Sequence, residues 1–132
     1  MGYITKRPGV VLAVSGPGMT NCISAMANAI VNKQPMIVIG GASEASLDGK
    51  GAFQEFDTMA CSKPVSKYSA RPANVHHIPL VVERAVRMSI FGTPGPVYIE
   101  MTSDVIHAKV DASTVHYYPR VELPMPLMLQ DS

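Results

Sequence analysis

The apolar run Gly9–Val14 passes directly into Ser15-Gly16-Pro17-Gly18-Met19-Thr20-Asn21, and that segment opens an amphipathic helical pattern. A buried strand that feeds a helix through a glycine-proline turn predicts a β-α unit and a parallel neighbour for the next strand. The turn brings bare backbone close to something. One reading is a tight strand-to-helix turn packed on the chain itself; the other is contact with an anionic or flat ligand. The spacing is neither GxGxxG nor GxxxxGK[ST], which excludes a dinucleotide fingerprint and a phosphate-binding P-loop.

Val10–Val14, Met36–Ile39, Val65–Ser69 and Val97–Met101 are the candidate strands. The first, second and fourth are apolar at successive positions, as in parallel strands covered on both faces. Val65–Ser69 is more polar and is expected at a sheet edge. In Thr20–Lys33, Ile23, Met26, Ala27 and Ile30 recur at helical spacing. Thr20 or Asn21 is placed to cap that helix, Lys33 to meet its negative end and Pro35 to stop it. In Pro79–Phe91 the expected stripe is Val82, Ala85, Val86 and Ile90. Pro79 suits the first turn, Gly92 the end, and Glu83 and Arg87 stand four apart. The order β-α-β-loop-(short helix)-β-α-β predicts an α/β fold, a three-layer parallel sheet with helices on both faces. From about Thr102 the pattern dissolves, and Pro119, Pro124 and Pro126 read as an extended linker. The expected division is a domain over 1–106 and a linker over 107–132.

One domain's length, 132 residues, carries 47% hydrophobic but only 16% charged residues, so part of its surface is expected to be covered by a partner or by more of a longer protein. A net charge of +1 gives no footprint for nucleic acid. No apolar run approaches the roughly 20 residues of a membrane span. Met1–Arg7 has no signal-peptide core, and Leu129–Ser132 is not a peroxisomal or reticular address. Cys22 and Cys61 form neither a CxxC pair nor a metal spacing and read as reduced, buried thiols. His76, His77, His107 and His116 lack metal spacing too, so no metal ligands are assigned. His76-His77 reads as a solvated loop, and Arg71-Pro72 as the start of a turn.

The second chemistry-bearing stretch is Gly40–Asp57. Gly40-Gly41 ends a strand, and a polar loop with Ser43, Glu44, Ser46, Asp48 and Gly49 follows. Ligands of open α/β sheets lie at the carboxyl ends of strands, where this loop and the Gly16–Gly18 turn both belong. Phe53 and Gln54 pair a flat apolar face with an amide that donates and accepts. The plain alternative is Phe53 in the core and Gln54 on the surface.

Together these segments resemble the pyrimidine-binding domain of thiamine-diphosphate enzymes. The resemblance rests on Arg7-Pro8-Gly9-Val10, Ser15-Gly16-Pro17-Gly18, Met26-Ala27-Asn28-Ala29, Ile39-Gly40-Gly41, Gly51-Ala52-Phe53-Gln54-Glu55-Phe56 and Gly92-Thr93-Pro94-Gly95-Pro96-Val97-Tyr98. Ser69-Ala70-Arg71-Pro72, Ile78-Pro79 and Glu83-Arg84-Ala85-Val86-Arg87 tip it toward 2-hydroxyacyl-CoA lyase. Acetolactate synthase shares the Phe-Gln-Glu segment and is nearer at Thr20-Asn21, whereas oxalyl-CoA decarboxylase usually carries Tyr-Glu in place of Phe53-Gln54. Thr93 stands where an arginine is usual. The likeness covers roughly Gly2 to Ile106.

The resemblance implies thiamine diphosphate as cofactor, with its aminopyrimidine on this domain and its diphosphate and Mg2+ on a C-terminal domain of another subunit. Gly16, Pro17, Gly18 and Asn21 would line the cofactor; Phe53 and Gln54 would face the reacting centre. The family's glutamate lies before the Arg-Pro-Gly-Val segment. Glu44, Glu55, Glu83, Glu100 and Glu122 all follow the glycine turn, and none takes its place. The chain is therefore expected to be an inactive fragment of a lyase that cleaves a 2-hydroxyacyl-CoA to an aldehyde and formyl-CoA, a homodimer or homotetramer when complete. The resemblance implies a peroxisomal setting, otherwise a cytoplasmic one. Fragments of acetolactate synthase-like or oxalyl-CoA decarboxylase-like enzymes, or a non-catalytic module docking on full-length subunits, are the alternatives. A missing strand-helix pair is expected to expose a sheet edge.

Overall fold

The structure, a computed structural model, describes residues 2–122. Its elements are helix α1 (Gly2–Thr5), strand β1 (Gly9–Ala13), helix α2 (Pro17–Val31), strand β2 (Met36–Ala42), helix α3 (Thr58–Ser62), strand β3 (Tyr68–Ala70), helix α4 (Ile78–Ile90), strand β4 (Pro96–Thr102) and helix α5 (Ser103–His107). Single 3-10 turns lie at Ala45–Leu47, Lys63–Val65, Val75–His77 and Ala112–Thr114.

The four strands form one all-parallel sheet in the order β1-β2-β4-β3. That order explains the layering. The step from β1 through α2 to β2 runs one way across the sheet, and the step from β3 through α4 to β4 runs the other. Right-handed crossovers taken in opposite directions put their helices on opposite faces. The core divides accordingly. Met19 and Met26 of α2 pack with Val38 and Tyr98 on one face, joined by Met59 of α3. Val81 and Ala85 of α4 pack with Ile37, Val97 and Ile99 on the other. This is the three-layer α/β arrangement expected from the sequence, with β3 at an edge. No helix among the described residues is long and apolar enough to cross a membrane.

Several local expectations are corrected. Helix α2 starts at Pro17, not Thr20, because proline's fixed φ suits the first helical position and its missing N–H costs nothing there. Gly16 is the N-cap, and neither Thr20 nor Asn21 caps: the Thr20 hydroxyl donates to Pro17 O at 2.9 Å. Lys33 closes the helix rather than ending it with charge. It takes φ 55, so that Gln34 N–H reaches Ala29 O (2.8 Å) and Lys33 N–H reaches Ile30 O (3.3 Å).

The third strand is shorter than expected, because Pro64 draws Lys63–Val65 into a 3-10 turn and extension begins only at Ser66. In α4 the buried residues are Val81, Ala85, Ser89 and Ile90: Ala85 and Ile90 lie in the core as expected, Val86 is half-buried, and Val82 is exposed, with Val81 in its place. Glu83 and Arg87 do pair, and Pro79 does sit in the first turn.

β1 is not covered on both faces. It is an edge strand whose Val10 and Leu12 point to the α4 side and stand 61% and 78% exposed. Cys22 and Cys61 are free and half-buried rather than buried. Pro124, Pro126 and Leu129–Ser132 of the expected linker, and Met1, lie outside the described residues.

Candidate functional site

Parallel strands deliver their carboxyl ends to one edge of the sheet, and Ala13, Gly40 and Glu100 stand at one level there across β1, β2 and β4. Beyond β1 the chain turns at Gly16 with φ 54 and ψ −113, a conformation that a side chain resists. A Cβ on Gly16 would stand 2.3 Å from Gln54 O, so the missing side chain is what lets the two backbones touch. The Ser15 hydroxyl donates to Gln54 Oε1 at 3.1 Å across the same contact. Gln54 itself has φ 55, left-handed for a residue that is not glycine.

The loop that presents Gln54 is stapled by Glu55. Its carboxylate accepts from Gly51 N–H (2.8 Å), Ala52 N–H (3.0 Å) and Gly49 N–H. These bonds, that from Gly49 foremost, hold the Glu55 carboxyl below the usual carboxylate range. Asp57 then caps α3, accepting from Ala60 N–H at 2.9 Å. The cap fixes Thr58 beneath the loop.

Thr58 joins a buried polar chain. Tyr98 OH donates to Thr58 Oγ1 at 3.0 Å, and Thr58 Oγ1 donates to Glu100 Oε1. Tyr98, Thr58 and Glu100 are each at most 1% exposed. Gly40 makes room for the Tyr98 ring, since a Cβ there would meet the hydroxyl at 2.6 Å. Burial pushes the Tyr98 phenol well above its ordinary value, so it stays a neutral donor. The other Glu100 oxygen accepts from Arg71, whose Nη1 reaches Asp48 Oδ2 at 2.7 Å. Burial pulls the guanidinium down, but its hydrogen bonds to Asp48 and Glu100 outweigh burial and hold it above the ordinary arginine value. Between the Gly16 turn, Gly41, Gln54 and Arg71 lies a narrow cleft of about 20 Å³, room for about one water.

Residues 1–61 match the family model "Thiamine pyrophosphate enzyme, N-terminal TPP binding domain". The chain is 42% identical over all 132 of its residues to 2-hydroxyacyl-CoA lyase 1 of Homo sapiens, covering 23% of that protein. The chain carries the N-terminal domain of the thiamine-diphosphate enzyme family. It is also 35% identical over 131 residues to oxalyl-CoA decarboxylase of Escherichia coli (strain K12), 97% of this chain and 23% of that one. To the acetolactate synthase large subunit of Buchnera aphidicola it is 38% identical over 115 residues, 87% of this chain and 20% of that one. The chain thus spans about a quarter or less of the length of these curated relatives.

Within this thiamine-diphosphate enzyme domain, the structure brings Gly16 and Gln54 together. It leaves Pro17 and Asn21 exposed one turn apart on α2, with Gly18 half-buried between them. Phe53 is 84% exposed, which removes the core alternative for it. His76 and His77 are exposed, as expected of a solvated segment. Among the described residues no three His, Cys, Asp or Glu side chains gather as a metal site would require. A wider groove of about 560 Å³ lies elsewhere, between Arg7-Pro8, α4 and residues 117–122, away from the glycine turn.

Sequence reasoning missed the Tyr98–Thr58–Glu100–Arg71–Asp48 chain. One signal was available: Glu100 interrupts the otherwise apolar run Val97–Met101, and a carboxylate buried there requires a buried donor. Nothing in the sequence says that the donor is Arg71, because 29 residues separate them and only the β3–β4 pairing makes them neighbours.

Proposed function

We propose that this chain forms the pyrimidine-side wall of a thiamine-diphosphate-dependent carbon–carbon lyase that cleaves a 2-hydroxyacyl-CoA to an aldehyde and formyl-CoA. The observation that carries the reading is the seating of Gln54 on the Gly16 turn at the carboxyl ends of the strands. It gives a strand-end platform with a side-chain amide, the exposed ring of Phe53 and backbone edges at Gly41 and Ala42.

The residues fit the ring portion of the cofactor. The cleft is lined by three carboxyl groups, Asp48, Glu55 and Glu100, against the single guanidinium of Arg71. Such a field favours a neutral or cationic heteroaromatic ring with N–H donors and opposes phosphate. A cleft with room for about one water places a ring over its rim, against Gln54 and Phe53, rather than inside it. The described residues do not fit a magnesium diphosphate, so other residues would hold it. When bound, the cofactor supplies the electron sink for carbon–carbon cleavage. This chain's own part is to orient the ring on the Gly16 turn, to offer the Gln54 amide to the substrate side and to narrow water access with Phe53.

The experiment is an amide-resolved titration of the chain with thiamine, and with coenzyme A as the comparison. Thiamine is expected to shift Gly16, Gln54 and Gly41, and coenzyme A to leave them in place. Absence of any shift at Gly16 and Gln54 with thiamine overturns the reading. The chain alone is expected to release no aldehyde from a 2-hydroxyacyl-CoA. Complementation of full-length subunits with 2-hydroxyacyl-CoA or pyruvate as substrate separates the lyase from acetolactate synthase-like chemistry.

A second reading, a non-catalytic module that docks on full-length subunits, is favoured by the apolar β1 face, where Leu12 stands 78% exposed. Co-purification with such subunits without any effect of thiamine supports it.

A further inference from the structure

We propose that Arg71 is the positioning residue of the cleft: it clasps Asp48, in the loop that leads to Phe53 and Gln54, to the buried Glu100 at the end of β4. The proposal rests on reading the cleft as the ligand site, and it assigns the part that sets where the loop lies over the Gly16 turn.

The two halves of the clasp differ in strength. Glu100 is 1% exposed, stands opposite Gly40 of β2 and directly follows the last β3–β4 pair at Ile99, so its carboxylate is fixed in space. Thr58 satisfies one oxygen, and Arg71 answers the other through both Nε and Nη2. Moving Arg71 away would leave a buried carboxylate short of its partner, which the interior does not tolerate. The guanidinium is therefore anchored from within, and its planar fork leaves Nη1 aimed at one point. Asp48 occupies that point at 2.7 Å with its side chain 52% exposed.

The outer half is a solvated ion pair and is weak. Release is thus expected at Asp48, with Arg71 staying on Glu100. This geometry suits a loop that lies closed over a cleft with room for about one water and must yield slightly when a ring docks at its rim. Glu55 staples the loop internally through Gly49, Gly51 and Ala52, so the loop would move as a unit rather than unravel.

The test compares Asp48→Asn, Arg71→Met and Arg71→Lys in the full chain by amide hydrogen exchange. Loop reporters are Leu47 and Lys50, which bond within the loop, and core reporters are Val38 and Ile99. Asp48→Asn is expected to speed loop exchange by up to about fivefold and to leave the core reporters unchanged. Arg71→Met is expected to speed it further. Arg71→Lys, a point charge in place of a fork, restores only part of the protection.

Loop and core accelerating together in Asp48→Asn means a merely structural role and overturns the proposal, as does no change in the loop. Should Arg71→Met fail to fold, Asp48→Asn decides alone, since it alters only the exposed half. Thiamine titration of the same variants keeps the two readings apart. Loop release in the variants, without thiamine shifts in the unaltered chain, sustains the clasp and sinks the ligand site. Thiamine shifts with an unmoved loop do the reverse.

Discussion

Replacing Gly16 by alanine tests whether the contact between the turn and Gln54 organises the site. Two costs arise. At φ 54 and ψ −113 a side chain is strained by about 1–3 kcal/mol. The new Cβ would also stand 2.3 Å from Gln54 O, a separation that no such contact survives. Either α2 or the loop must give way.

Helix α2 is anchored by Met19 and Met26, both fully buried, whereas the loop bears the exposed Phe53 and Phe56. The loop therefore moves. Its departure relieves the left-handed strain at Gln54, about 1 kcal/mol, which offsets part of the cost. The net loss of unfolding free energy is expected at about 1–2 kcal/mol, read from the urea midpoint, together with loss of exchange protection at Gln54 and of the thiamine-induced shifts. Stability within about 0.5 kcal/mol of the parent chain, with the loop still protected, would refute the argument.

Other perturbations follow from the same geometry. The Glu55 carboxyl is depressed in the folded loop, so its contribution is present above the ordinary value near 4.5 and is lost as pH falls through the lower folded value. Protection factors of the loop amides, corrected for intrinsic exchange, should fall only below that ordinary value, and Glu55→Gln should flatten the profile. Tyr98→Phe removes the donor to Thr58 while leaving the ring's packing; about 0.5–1.5 kcal/mol should be lost in denaturant unfolding. Leu12→Lys adds charge to an edge strand at a position 78% exposed; self-association measured by sedimentation should fall while the unfolding midpoint stays within about 0.5 kcal/mol. Met26→Ala empties a fully buried site between α2 and the sheet and should cost about 2–5 kcal/mol.

The sequence by itself determined the alternation of strand and helix, because apolar runs, helical periods and prolines are local signals that need no partner to be read. It also determined the family, through the glycine turn and the segment from Gly51 to Phe56, and it marked Gly16 and Gln54 as residues worth watching. Tertiary structure decided the rest. β1 reads as buried on its own composition, yet the strand order puts it at an edge, where Val10 and Leu12 stay exposed. Phe53 looks equally apt for a core, but the left-handed turn at Gln54 and the Glu55 staple turn it outward. Glu100 and Arg71 meet only because β3 lies beside β4, and Asp48 joins them only because the loop after β2 folds back over the strand ends. Pairing between distant strands depends on the register and order of the whole sheet, and no stretch of sequence carries that information alone.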